Sequence, residues 1–270
     1  MSSSRLVAVA LLVVLAVNLM PLVVMVSLSV KGEGTVLRGL GDLIPSRPTV
    51  ANFTEILSKG PFARYFLNSV VVVAFVVGGN IILASMGAYA IARSGTRRAN
   101  VMLALLISTM MVPKHILMIP LFTLLLRMNL VDTYYALILP FLVDAFNVFF
   151  IYQYIKSIPA DLEEAAFIDG AGVFTAFTRV IFPALKPALV VMATNTFLIN
   201  WNSFLLPFVL TNTDAARTLP VGLAIFSQGE HSVDWGLLMA GSTLAAVPTI
   251  AAFAFFQKHI VRGITEGAIR

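Results

Sequence analysis

The chain has no cysteine, which closes off both a disulfide framework and a thiolate metal site. Charge is scarce as well: Asp, Glu, Lys and Arg make up 11% of 270 residues, where an ordinary soluble domain carries about 25%. The three histidines, His115, His231 and His259, are too scattered to form a ligand set. No GxxxxGK[ST] run is present, and "GTRRAN" lacks the glycine frame that cradles nucleotide phosphates. What the chain does have is apolar surface, 59% of its residues, in runs long enough to cross a bilayer. The formal charge of +5 sits largely at the edges of those runs, where it reports membrane topology rather than affinity for nucleic acid.

A helix needs about 20 mainly apolar residues to cross the hydrocarbon layer with its backbone satisfied. Six runs qualify, at 6–29, 66–92, 100–125, 133–155, 188–209 and 236–257. The predicted fold class is therefore all-α, a polytopic membrane protein with six transmembrane helices. The first run reads as a retained span, because no small-residue cleavage site precedes "KGEG". Six crossings put both termini on one side. The compact basic loop "ARSGTRRAN" makes that side cytoplasmic, since inner loops favour Lys and Arg. The chain then divides into a first span with its external connection (1–65), a five-helix core (66–257) and a cytoplasmic tail (258–270), with a short surface helix expected from Asn52. Pro113, Pro120, Pro140, Pro207 and Pro248 fall within or at the ends of crossings, where proline kinks a helix. Gly78, Gly79 and Gly87 permit close helix contact.

The longest inner connection, 156–187, contains "DLEEAAFIDGAG". Asp161 followed by Glu164 has the spacing of a capping box, so a helix is predicted there. Ala165 and Ala166 leave room for a neighbour, Asp169 ends the helix, and Gly170 with Gly172 turns the chain. A second helical pattern places Phe174, Phe177 and Ile181 on one face. Two readings fit the residues: a dock for a soluble partner, or a cap packed on its own bundle. Glu163, Glu164 and Asp169 lack an accompanying histidine and face water, so capping and ion pairing explain them better than a metal or acid–base site.

"EAAFIDGAGVFTAFTRVIFP", Glu164 to Pro183, resembles the EAA loop of permease subunits in binding-protein-dependent ABC importers. Glu164, Ala165, Ala166, Asp169, Gly170, Ala171 and Pro183 match the family pattern, while Val180 and Phe182 depart from its usual isoleucine and leucine. "LVDTYYALILPF" and the ending "FFQKHIVRGITEGAIR" resemble the MalG-like branch of carbohydrate importers. The resemblance implies a bacterial or archaeal plasma-membrane complex. Its parts would be this chain, a second, MalF-like permease, two ATP-binding subunits and an external solute-binding lipoprotein or periplasmic protein. Glu164, Ala165, Ala166, Asp169, Gly170 and Ala171 would form the coupling helix that docks on an ATPase, with a further ATPase contact from the tail after Gln257. ATP and Mg2+ would be held by the ATPase subunits, with no cofactor on this chain.

Within the spans, Lys114 and Asp144 fall near the membrane midplane, where a charge needs water or a partner. They fit either an interhelical ion pair or a polar substrate path, for which Asn147, Asn195, Asn200, Trp201 and Asn202 are further candidates. An ion-coupled secondary carrier with Asp144 as its site, or a membrane scaffold, are the alternatives to an importer permease. The external connection 211–235 reads either as a landing surface for a binding protein or as part of the bundle mouth.

Overall fold

The computed structural model describes the backbone of residues 3–32, 44–45, 47–58, 60–226 and 234–267, with side chains described from residue 6 to 257. The expected tail contacts (258–270) and the centre of the 211–235 connection lie outside the described side chains. Among the described residues the structure is entirely helical. The principal elements are α1 (Ser3–Ser29), α2 (Ala51–Ser58), α3 (Phe62–Ser94), α4 (Arg97–Met110), α5 (Met118–Arg127), α6 (Tyr134–Ile138), α7 (Ala145–Ser157), α8 (Asp161–Ile168), α9 (Val173–Ala184), α10 (Lys186–Trp201), α11 (Leu205–Leu210), α12 (Leu219–Phe226) and α13 (Trp235–Gly267).

Four stretches are long and apolar enough to cross a membrane: Leu6–Ser29, Phe62–Ser94, Tyr134–Ser157 and Trp235–Gln257. A fifth is counted if α9 and α10, which meet at 75°, form one broken span. The chain is a multi-pass membrane protein. The third predicted crossing, 100–125, is not one helix but two, α4 and α5, separated by the turns of 111–117. Pro113 explains the break, because it donates no hydrogen bond and disfavours a helical residue before it. The run 188–209 is likewise interrupted between α10 and α11.

The described helices sort into two compact units. The first joins the segment ending at Phe66 to Leu219–Pro248. Here α2 is the expected short helix, though Asn52 is buried, not on the surface: its Nδ2 donates to the carbonyls of Ser29 (2.9 Å) and Lys31 (2.7 Å), satisfying the end of α1. Gly222 of α12 lies against the Tyr65 ring, which meets Phe226 edge-on, so α12 is packed structure and not a free loop. Along α1, by contrast, the apolar window is 0% buried.

The second unit comprises Leu67–Thr218 and the chain from Thr249. Its main core sets Ala84, Ala88 and Ala92 of α3, one helical turn apart, beside Ile151 and Ile155 of α7, Phe177 and Ile181 of α9, and Met192 of α10. Small residues at i, i+4 and i+8 allow the backbones to approach, which drives helix association where water supplies no hydrophobic force. A second core gathers Val72, Val76, Leu125, Leu137 and Leu210. Of the three glycines expected at close contacts, only Gly79 makes one, against Leu142; a Cβ on Gly78 or Gly87 would meet nothing within 4 Å. Two π-turns interrupt the α geometry, Asn80–Ala84 in α3 and Phe177–Ile181 in α9.

Candidate coupling loop and translocation cleft

The loop helix α8 starts one residue earlier in its capping than the sequence suggests. Ala160 is the N-cap and makes no side-chain cap, so Asp161 is the first helical residue and no capping box forms. Asp161, Glu163 and Glu164 nevertheless crowd the first turn, where negative charge complements the positive end of the helix dipole. The C-terminus follows expectation closely. Gly170 adopts φ +84°, its N–H donates to Phe167 O (3.0 Å), and Ala171 N–H reaches back to Ala166 O (2.9 Å). This pair of bonds is a Schellman close, open to glycine because it has no Cβ to clash in the left-handed region.

Glu163 does not face a partner. It is 3% exposed and ion-paired to Arg93 at the end of α3, whose Nη2 also donates to Ile158 O (3.1 Å). Arg93 thus clamps both the entry to the loop and its helix, a role the sequence does not reveal because 70 residues separate the pair. The second helix is split between two duties. Phe177 and Ile181 are buried in the core, whereas Phe174, expected on the same face, is 70% exposed, because the π-turn shifts the helical register between them. Leu162, Ile168 and Val173 are exposed beside it. Ala166, Asp169, Gly170 and Arg179 line an open concavity of about 470 Å³ between the two helices.

Lys114 and Asp144 meet. Lys114 stands in the 111–117 break and Asp144 is the N-cap of α7; Nζ to Oδ2 is 2.5 Å, and Asp144 Oδ1 accepts from Phe146 N–H at 2.9 Å. They line a cleft of about 530 Å³ with Thr109, Pro113, Phe146 and Leu206. The other candidates do not gather there. Asn147 is 3% exposed and belongs to a polar node, donating to Asn80 Oδ1 and to Thr196 Oγ1, each at 2.9 Å. Trp201 is buried and stacks on Phe197 with centroids 5.6 Å apart. Asn200 donates to Thr196 O and borders a separate small crevice, while Asn195 and Asn202 are exposed elsewhere on α10 and just after it. Asn80, the centre of the node, was missed. It also donates to Phe141 O (2.8 Å) and accepts from Asp144 N–H (2.9 Å), so it holds the backbone that presents the acid. An asparagine in a long apolar run is the signal that would have found it.

At the opposite end of α6 from this break, Asp132 (φ 64°) accepts from Asn212 N–H (2.8 Å), Thr213 N–H (3.0 Å) and the Thr213 hydroxyl (2.7 Å). Burial pushes its carboxyl upward, but these three bonds and the nearby Arg217 guanidinium outweigh that and hold it below the ordinary carboxylate range. From α3, Asn68 donates to the carbonyls of Ala215 (3.1 Å) and Arg217 (2.8 Å), so the 211–217 segment is fixed from two sides.

Among the described residues no three His, Asp or Glu side chains converge as a metal site. Broken apolar helices, a polar cleft between the breaks and a braced hydrophilic loop define a multi-pass transport protein. The chain belongs to the family of binding-protein-dependent transport system inner membrane components, whose sequence profile matches residues 80–266. It is a non-catalytic transmembrane permease subunit of an ATP-driven importer, and works within a multi-subunit complex. It is 36% identical over 227 residues to the arabinooligosaccharides transport system permease protein AraQ of Halalkalibacterium halodurans, covering 84% of this chain and 81% of that one. It is 34% identical over 255 residues to the trehalose transport system permease protein SugB of Mycobacterium tuberculosis, covering 93% and 92%. The fold matches a chain of a bacterial ABC transporter involved in the import of the acidic polysaccharide alginate, with a TM-score of 0.83, 24% identity, and coverage of 96% of this chain and 98% of that chain.

Proposed function

We propose that the chain is the MalG-like half of an importer for a sugar or sugar-like solute, and that segment 161–172 is its lever. The observation that carries this reading is the loop's division into a presented surface and a fixed root. Leu162, Ile168 and Phe174 are exposed on the loop, while Glu163 is clamped to Arg93, and Phe177 and Ile181 are buried in the helical core. A soluble ATPase docking on the first set would move the second, and through it α3, α7 and α10. Such motion biases the bundle only if the docked contact differs in free energy between inward- and outward-facing states.

In this reading α4 with α5, and α9 with α10, are broken crossings that complete six spans, and both termini face the cytoplasm. Broken helices suit a transporter because irregular backbone is tolerated where it lines a polar cavity. A second, MalF-like permease, two ATPases carrying ATP and Mg2+, and an external binding protein complete the machine. The carbohydrates printed in the names of the two relatives support a glycoside as cargo. The test is Gly170→Val, which puts a branched side chain at φ +84°. ATPase recovered with the purified variant, and solute uptake driven by ATP in vesicles, should both fall. Normal recovery and normal uptake would reject the assignment; normal recovery with lost uptake would place the defect in transmission.

A further inference from the structure

The Lys114–Asp144 cleft has a chemistry that narrows the cargo. α4 runs 14 residues from Arg97 and α7 runs 13 residues to Ser157, so the breaks they reach lie about 21 Å and about 20 Å from helix ends on a common side. Both depths fall inside a hydrocarbon layer about 30 Å thick. A charged pair is stable there only if wet or paired, and the Lys114 side chain is 65% exposed to the open cleft while Asp144 is 27% exposed.

The pair is neutral as a whole, so it draws neither anions nor cations by net charge. A carboxylate solute group would meet Asp144 as well as Lys114, and a cation would have to displace the ammonium. What the pair does offer is a donor and an acceptor side by side. Lys114 uses one of its three N–H groups on Asp144, and each Asp144 oxygen, having accepted one hydrogen bond, retains a further lone pair. Adjacent hydroxyls match this arrangement: one accepts from Nζ while its neighbour donates to Oδ2. The acceptor is preorganised, since Asn80 holds both Phe141 O and Asp144 N–H, and Gly79 lets α3 lie directly on Leu142. Phe146, 47% exposed, borders the same cleft with an aromatic surface, and apolar faces of sugar rings bury well against such a surface.

We propose that this cleft is a subsite for a neutral polyhydroxylated solute, gripped through adjacent hydroxyls by Lys114 and Asp144 and faced by Phe146. The proposal rests on the importer reading above and assigns the cargo's charge class and the residues that hold it.

The test uses the absence of native cysteine. Val143→Cys, at a cleft-lining position 47% exposed, supplies one thiol in the complete complex, its other subunits made cysteine-free, reconstituted in vesicles with the binding protein. Maleimide labelling is timed with trehalose, maltose, arabinobiose or glucuronate present, alongside ATP-driven uptake of each. The neutral solute that is taken up should slow labelling about threefold at twice its dissociation constant for the cleft, and glucuronate should not. Lys114→Met with Asp144→Asn, which keeps the α7 cap and removes both charges, should abolish that protection, as should Phe146→Leu. Protection that survives both variants, or labelling indifferent to a solute the same vesicles import, would overturn the subsite. Uptake confined to glucuronate would overturn the charge class and leave the importer standing. If nothing is taken up at the expense of ATP, the importer reading itself fails, and the subsite with it.

Discussion

Two single side chains carry consequences out of proportion to their size. Arg93 was legible only as a basic residue at a span end, yet it is the partner of a carboxylate 3% exposed. Arg93→Ala should destabilise the complex by about 3–5 kcal/mol, because it strands the Glu163 charge in a dry site. Removing Glu163 as well should recover part of that loss, and thermal denaturation of the wild-type complex and the three variants closes the cycle; strictly additive losses would deny the pair. Asp132 acts on the opposite sign of pH. Its carboxyl is lowered on folding, so its contribution is complete above the unfolded value of about 3.9 and disappears as pH falls through the lower folded value. Hydrogen exchange at Asn212 and Thr213, corrected for intrinsic rates, should therefore stay slow from neutral pH down to about pH 4 and accelerate only in stronger acid. Opening already at pH 5 would contradict this, and Asp132→Asn, which tolerates a positive φ, should show a flatter profile.

At the scale of elements, the ends of helices were readable where glycine or proline dictates geometry and unreadable where tertiary contacts decide. The stop of α8 at Gly170 follows from a left-handed φ that favours glycine. The break at 111–117 follows from Pro113, though the apolar composition of 100–125 concealed it. Nothing local marks the π-turns, whose extra residue is stabilised by packing of the whole helix, and the expected common face of Phe174 and Phe177 fails for that reason. The exposed positions make a further expectation. Leu162→Ser, Ile168→Ser and Phe174→Ser together should leave the permease inserted and assembled with the second permease, since all three side chains are at least 50% exposed. ATPase recovered in a pull-down should drop at least tenfold, the loss of about 1.4 kcal/mol or more from an apolar contact of three large side chains. Undiminished recovery would remove the docking face.

For the whole molecule, the multi-pass, all-helical character was legible because the bilayer demands apolar length, a property of composition and not of contacts. The candidate site was half legible. Lys114 and Asp144 announce themselves as charges in apolar surroundings, whereas Asn195, Asn200, Trp201 and Asn202 could be assigned to a common path only by knowing the rotation of α10, which the sequence does not encode locally. Orientation is checked with single cysteines: Ser94→Cys should resist an impermeant thiol reagent in intact cells and Asn212→Cys should react. The reverse pattern would invert the topology.

The π-turn at Asn80–Ala84 also fixes how this chain tolerates changes of length. A wide turn absorbs one residue beyond the α repeat, so deleting a single residue within it would restore plain α geometry. Everything beyond it in α3 would then rotate by about 100°. Ala84, Ala88 and Ala92 would swing off Ile151 and Ile155, and Arg93 off Glu163. Most single-residue deletions in a lipid-facing helix shift one surface against solvent tails; this one would disconnect the lever from the bundle while leaving hydrophobicity, and hence insertion, untouched.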